Sequence, residues 1–342
     1  MRNKHDNYID IALLGNNCYD INFMKHLFLS QNVRPYYCGK YAIEEQNDIV
    51  LRNIAYYFGS RGPILIDNKG LEKIFIDSGI PKVSQIPNLS SEDIIEQIEN
   101  CLKCDAVYVC NNKGSLDKYT MFILGYLMAM EQEIFFWNEI DENEWLMSSI
   151  SKKNNNGYKE VIQYPLEIVR SLAYPYLFKK YKSKLQLKDE EIFGSRNTEF
   201  NLNIKNQKSR KKTISLLGSL KKQLEDIREI AKLLEEKGYT VLAPKLSDIK
   251  TDLNGFIIFE KDISNNPIEI ESDFIEKCLK SEKIVVCNKD GYIGNSVMFE
   301  IGYLLAKNKQ IKFIERPNDK WLIEVMKYFS KSNSKQLIKN NN

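Results

Sequence analysis

The chain repeats itself, and that feature restricts its fold more than any other. Ile98-Glu-Asn-Cys-Leu-Lys-Cys-Asp-Ala-Val-Tyr-Val-Cys-Asn-Asn-Lys-Gly114 lies over Ile275-Glu-Lys-Cys-Leu-Lys-Ser-Glu-Lys-Ile-Val-Val-Cys-Asn-Lys-Asp-Gly291 without a gap. Gly114 onto Gly291 sets an offset of 177 residues (291 less 114). The match continues at the same offset through Met121–Ala129 over Met298–Ala306, with fifteen identities in thirty-two positions. The front ends also agree, Ala12-Leu-Leu-Gly15-Asn16 with Ser215-Leu-Leu-Gly218-Ser219. A repeat of this kind means one small module used twice, with insertions between the shared parts.

Each copy opens on a short apolar strand that turns at a glycine. In the second copy a helix follows, with 3.6-residue periodicity through Leu224, Ile227, Ile230, Ala231 and Leu234 and a stop at Gly238. Thr240–Pro244 reads as a second strand, Asp273–Lys280 as a helix, and Lys283–Cys287 as the continuous apolar strand of a parallel sheet. Strands alternating with helices predict an α/β fold: two tandem doubly wound parallel-sheet domains of flavodoxin or Rossmann-like type. The expected boundaries are 1–150 for a first copy that has lost its site, 151–211 for a helical linker and 212–342 for the second copy. The linker contains the low-complexity run Lys152–Asn156 and an amphipathic Leu166–Ala173 helix, and the basic Lys208–Lys212 segment spans its end.

Composition removes several function classes. The 342 residues carry Lys+Arg 49 against Asp+Glu 46, a net charge of +3, which is too small a footprint for polymeric nucleic acid. The most apolar stretch, Met121–Trp137, is broken by Glu131 and Glu133 before it reaches membrane-spanning length, and the first ten residues have no apolar leader core. A cytoplasmic protein without a membrane partner is the expectation. Seven cysteines in a chain of this length read as reduced thiols, and two histidines are too few for a zinc site of Cys/His type. No carboxylate cluster has metal-ligand spacing, and neither the G-x-G-x-x-G fingerprint nor the Walker lysine is present, so no cofactor is expected.

Chemistry is expected in the second copy, between the strand ending at Cys287 and the next helix. There Gly291-Tyr-Ile-Gly294-Asn295-Ser296 leads into Glu300-Ile-Gly302-Tyr303. In an open parallel sheet, ligands bind at the carboxyl ends of strands, where a glycine loop opening a helix points backbone N–H groups at an anion or a sugar hydroxyl. The same residues also serve as an ordinary turn and N-cap. Glu300 stands where the first copy has Ile123, so it is expected to be sheltered, and its place near a helix N-terminus is expected to keep it ionised. The first copy also has Asp117 for Gly294 and Tyr119 for Ser296, so loop and carboxylate differ together.

Leu216-Leu-Gly218-Ser219, Asp273 and the Gly291–Ser296 loop with Glu300-Ile-Gly302-Tyr303 resemble the nucleoside 2-deoxyribosyltransferase superfamily, particularly its 2′-deoxynucleoside 5′-phosphate N-hydrolase branch. The resemblance implies N-glycosidic bond cleavage or base exchange on a small-molecule nucleoside or nucleotide. It assigns Glu300 as nucleophile and Asp273 as the acid that assists departure of the base. Gly218, Ser219, Gly291, Gly294, Asn295 and Ser296 become the substrate cradle. It also implies a pseudo-dimer within the chain, the first copy buttressing the second, and is compatible with a homo-oligomer. Ser215 occupies a position where many members carry tyrosine. This keeps open a nucleotide-binding sensor or partner-docking module without turnover.

Overall fold

The computed structural model describes residues 10–30, 33–37, 43–61, 68–80, 89–111, 116–137, 212–253 and 256–340. The expected linker at 151–211, residues 1–9 and residues 112–115 lie outside them. Two α/β units emerge, one before and one after that linker.

The first unit comprises β1 (Asp10–Gly15), α1 (Cys18–Ser30), β2 (Arg34–Tyr37), α2 (Glu45–Arg61), α3 (Asn68–Asp77), α4 (Ser91–Lys103), β3 (Ala106–Cys110), α5 (Lys118–Ala129) and β4 (Ile134–Phe136). The second comprises β5 (Thr213–Leu217), α6 (Leu220–Glu236), β6 (Thr240–Ala243), β7 (Ile249–Leu253), β8 (Phe256–Phe259), α7 (Pro267–Lys280), β9 (Lys283–Val286), α8 (Asn295–Ala306), β10 (Gln310–Phe313) and α9 (Lys320–Asn340). Each unit has a parallel four-stranded sheet, in the order β2-β1-β3-β4 and β10-β9-β5-β6. The two orders are the same when read from opposite ends.

Their registers agree as well. Ile11 pairs with Ala106 as Ile214 pairs with Lys283, and Val107 pairs with Ile134 as Ile284 pairs with Ile311. These are the pairs that the two halves of the sequence bring into alignment. Alternation along β5 sends Ile214 and Leu216 to one face, under Ile227 and Ala231 of α6. Leu217, Ile284 and Val286 lie with the α7 and α8 side chains on the other face.

Two local features depart from the sequence reading. The helix expected from Asp273 begins at Pro267, where Asn266 accepts a hydrogen bond from the Ile268 N–H and proline occupies the first turn. An antiparallel ribbon, β7 with β8, is inserted between β6 and α7.

The units meet through α5 and α8, and one apolar core runs through both of them. A Cβ on Gly125 would lie 2.0 Å from the Phe299 carbonyl oxygen, and one on Gly302 would lie 2.1 Å from that of Phe122. Phe299 and Gly302 are the sequence equivalents of Phe122 and Gly125. The contact is therefore isologous, the same patch presented by each unit, and glycine is required because the backbones touch. Around it, Tyr119 and Phe122 pack on Trp321, and Tyr126 packs on Phe329. Ser91 donates to Glu324 at 2.5 Å and Tyr328 to Glu99 at 2.6 Å, tying α4 to α9. Among the described residues no helix is long and apolar enough to cross a membrane.

Candidate functional site

β5 and β9 are neighbours, and the helices that follow them pack on opposite faces of the sheet. Their carboxyl ends therefore form the crevice in which open α/β sheets bind ligands. α6 opens there at Ser219 and α8 at Gly294, and neither N-terminus has a side-chain cap. The first unit closes the equivalent positions with its own side chains. Asn17 accepts from the Tyr19 N–H at 2.9 Å at the start of α1, and Asp117 accepts from the Thr120 N–H at 2.8 Å at the start of α5. Backbone N–H groups left without a cap are the donors that bind anions. Lys222, in the first turn of α6, lies 4.1 Å from the centre of the Tyr292 ring, and Lys118 of the first unit lies 5.5 Å from it.

The loop residues expected to form a cradle have different duties. Gly218 is packed against Ile227 and the Cys287 carbonyl, as Gly15 is against the Cys110 carbonyl, so this glycine serves strand packing in both units. Gly291 has φ of +71°, and a Cβ there would lie 2.6 Å from the Asn318 side-chain oxygen. It locks the loop onto residues 316–318. Asn295 donates its side-chain amide to the Leu116 carbonyl at 3.0 Å, joining the units. A Cβ built on Gly294 would meet the Tyr292 hydroxyl at 3.6 Å, an ordinary van der Waals contact, so packing does not demand glycine there. Ser219 and Ser296 stand at the openings of α6 and α8.

Glu300 lies inside, between the sheet and the helices, at 7% exposure, and Glu271 of α7 lies beside it at 6%. The two carboxyls share a hydrogen bond. Oε1 of Glu271 has no hydrogen-bond partner. Burial holds both groups well above the usual carboxylate range, and in Glu300 the neighbouring Glu271 adds to the effect. The expectation that the helix N-terminus keeps Glu300 ionised is thus corrected. A half-charge at a helix end does not offset loss of water around a carboxylate with a second carboxyl in contact.

A polar line continues from the pair. Cys278 is hydrogen-bonded to Ser215, and burial pushes its thiol up. Ser215 and Ser281 meet at 2.6 Å, and Lys309 donates to the Ser281 carbonyl at 2.9 Å. In the first unit Gln132 donates to the Cys104 carbonyl at the same 2.9 Å. That last contact is therefore part of the shared frame.

Asp273 is two positions along α7 from Glu271, about 200° around the helix axis. It pairs with Lys277 and, at 4.0 Å, with Lys245, and its side chain is 28% exposed. The structure therefore brings Glu300 together with Glu271 and does not bring Asp273 to that contact. Glu271 is not among the residues that motif and resemblance single out, although the internal alignment carries its signal. It lies over Ile94, as Glu300 lies over Ile123. Both isoleucines are fully buried.

Among the described residues no group of three histidines, cysteines or carboxylates is placed to hold a metal ion. Comparisons of the chain with models of protein families, with characterised proteins and with solved structures found no match.

Proposed function

We propose that the second unit cleaves or exchanges the N-glycosidic bond of a nucleoside, deoxynucleoside or nucleoside 5′-monophosphate, with Glu300 as nucleophile. The observation that carries this reading is the buried Glu300–Glu271 pair, present in the unit with uncapped helix ends and replaced by two isoleucines in the other. Burying two carboxyls without a cation beside them costs on the order of several kcal/mol, which the shared frame does not require. The resemblance to nucleoside 2-deoxyribosyltransferases supplies the substrate class.

In this reading the sugar C1′ sits against Glu300. As the C1′–N bond breaks, its electron pair leaves on the base nitrogen, which takes a proton from solvent. Positive charge develops on the sugar, and Glu300 forms an ester with C1′ as the carboxyl proton that burial favours passes to solvent. Water or a second base then attacks C1′ and releases Glu300. With water the products are free base and sugar, and the water's remaining proton restores the Glu300 carboxyl. Sugar hydroxyls or a 5′-phosphate meet the openings of α8 at Gly294–Ser296 and of α6 at Ser219, near Lys222. The chain is then a cytoplasmic tandem duplication in which the first unit, having lost its own site, braces the second.

A second reading, a nucleotide sensor without turnover, is favoured by Ser215, whose hydroxyl is committed to Ser281. The two readings separate in an assay of free-base release from nucleosides and nucleoside 5′-monophosphates by wild type and E300Q. The enzyme reading expects release that drops by about 10⁴-fold or more in E300Q. Ligand-induced thermal stabilisation with no release from any substrate replaces it with the sensor.

A further inference from the structure

Where the first unit has α2 and α3, the second has the β7–β8 ribbon, which the shared frame does not require. We propose that the outer edge of β7 pairs antiparallel with β7 of a second copy of this chain, joining the two chains about a two-fold axis at Thr251. This inference concerns assembly and is independent of the chemistry at Glu300.

The ribbon is held firmly at its base. Ile258 and Phe259 of β8 are buried. Arg228 of α6 donates to the Ser247 carbonyl at 2.9 Å and the Lys261 N–H donates to Ser247 Oγ at 3.1 Å, so both strands are fastened where they join the unit. A fixed edge loses little freedom on pairing. Among the described residues β8 is the one strand that pairs with β7. Along the other edge of β7, alternate N–H and C=O groups therefore face away from the ribbon. Ile249 is 49% exposed and Leu253 45%, so this edge carries an aliphatic side chain in contact with water at each end.

The residues of the edge select the partner. Ile249-Lys250-Thr251-Asp252-Leu253 reads alike from both ends: aliphatic residues outermost, opposite charges inside them and threonine at the centre. In an antiparallel pair centred on Thr251, Lys250 stands opposite Asp252 of the partner subunit, and Ile249 opposite Leu253 of the partner subunit. Opposite charges directly across a strand pair are favourable and like charges unfavourable, and two-fold symmetry makes each match twice. A parallel pairing in register sets lysine against lysine and loses the match. Lys250 lies at an irregularity in the pairing with β8. A lysine at a bulged edge guards against indiscriminate strand addition, and a strand with aspartate at the facing position answers that guard. Lys250 donates to Asn265 Oδ1 at 2.8 Å, which leaves two of its three ammonium protons for a facing carboxylate.

A pair of five-residue strands is smaller than a standard interface of roughly 1,200 Å² or more, so the dimer is expected to be reversible in the micromolar range. Sedimentation velocity of the full chain should show the mass rising from 39.9 kDa towards twice that value with concentration. K250D and D252K each set like charges opposite one another at both places, and each should weaken the dimer about tenfold or more. K250D presents two carboxylates and D252K two ammonium groups, so an equimolar mixture of the two restores complementary pairs and should associate as wild type does. The double exchange K250D/D252K restores them within one chain. Both rescues are gains of association, which a misfolded ribbon does not produce. A wild-type chain that stays monomeric at about 100 µM overturns the proposal. So does association that neither reversal weakens, or a loss that neither the mixture nor the double exchange recovers. Hydrogen exchange at β7 separates the other coverings of this edge. Protection that rises with concentration upholds pairing between copies, and protection that is equal at every concentration assigns the edge to another segment of the same chain and overturns it.

Discussion

The two units share strand order, register and the glycine contact between α5 and α8, yet differ at the place where chemistry is possible. Ala12, Ile94 and Ile123 in the first unit become Ser215, Glu271 and Glu300 in the second, all buried. Asp117, which caps α5, becomes Gly294, which leaves α8 uncapped. The backbone therefore tolerates both a dry and a polar filling of the same space. The difference teaches that the second unit carries a stability cost the frame does not demand, as binding and catalytic sites commonly do.

The largest expected effect comes from making the second unit dry. E271I/E300I transplants the first unit's residues, and it should abolish base release while raising stability by about 1–4 kcal/mol. The gain should depend on pH. A carboxyl with a raised folded-state value binds its proton more tightly when folded, so its contribution is fully present below about pH 4.5 and is lost as pH rises through about 8, the value for Glu271. Denaturant unfolding at pH 5 and pH 8.5 should show wild type losing stability between them, with a smaller loss in the double variant. Equal losses would mean that the pair does not titrate as the geometry requires.

The shared contact can be broken next. G302A places a methyl against the Phe122 carbonyl and should cost about 1–3 kcal/mol, because the helices must separate. Since the contact is isologous, G125A should cost a similar amount. A large asymmetry in melting temperature between the two variants would refute the equivalence of the units. The smallest effect is a sharpening one. G294D gives α8 the cap that α5 has, and should add up to about 1 kcal/mol of stability while weakening binding of a nucleoside 5′-monophosphate at the same helix end. Unchanged ligand affinity, read by calorimetry, would remove that helix end from the site.

Much of this arrangement was legible in the residues. The repeat gave the two units and the parallel sheets, and Glu300 was picked out because its counterpart is Ile123. The same comparison at Ile94 identifies Glu271, but that position lies just before the strongest stretch of identity, and the resemblance points to Asp273 instead. Asp273 sits closer to the following strand and has the residue type expected of an assisting acid. Residue type and spacing do not report which side of a helix faces the core when both sides carry carboxylates. The glycines misled for a related reason. Gly218 and Gly291 have sequences fit for a ligand loop, yet each is needed because another part of the chain lies against it.

By itself the sequence determined the internal repeat, the α/β class and the position of one exceptional carboxylate, because hydrophobic periodicity and internal identity are properties of the chain read in order. Only the tertiary structure decided that Glu271 partners Glu300, that Asp273 is committed to lysines, and that the two glycine-bearing helices touch backbone to backbone. Those are contacts between elements distant in sequence, and burial sets their energetics. A carboxylate's charge state depends on the water it has lost and the neighbour it has gained, and neither is written in its local sequence.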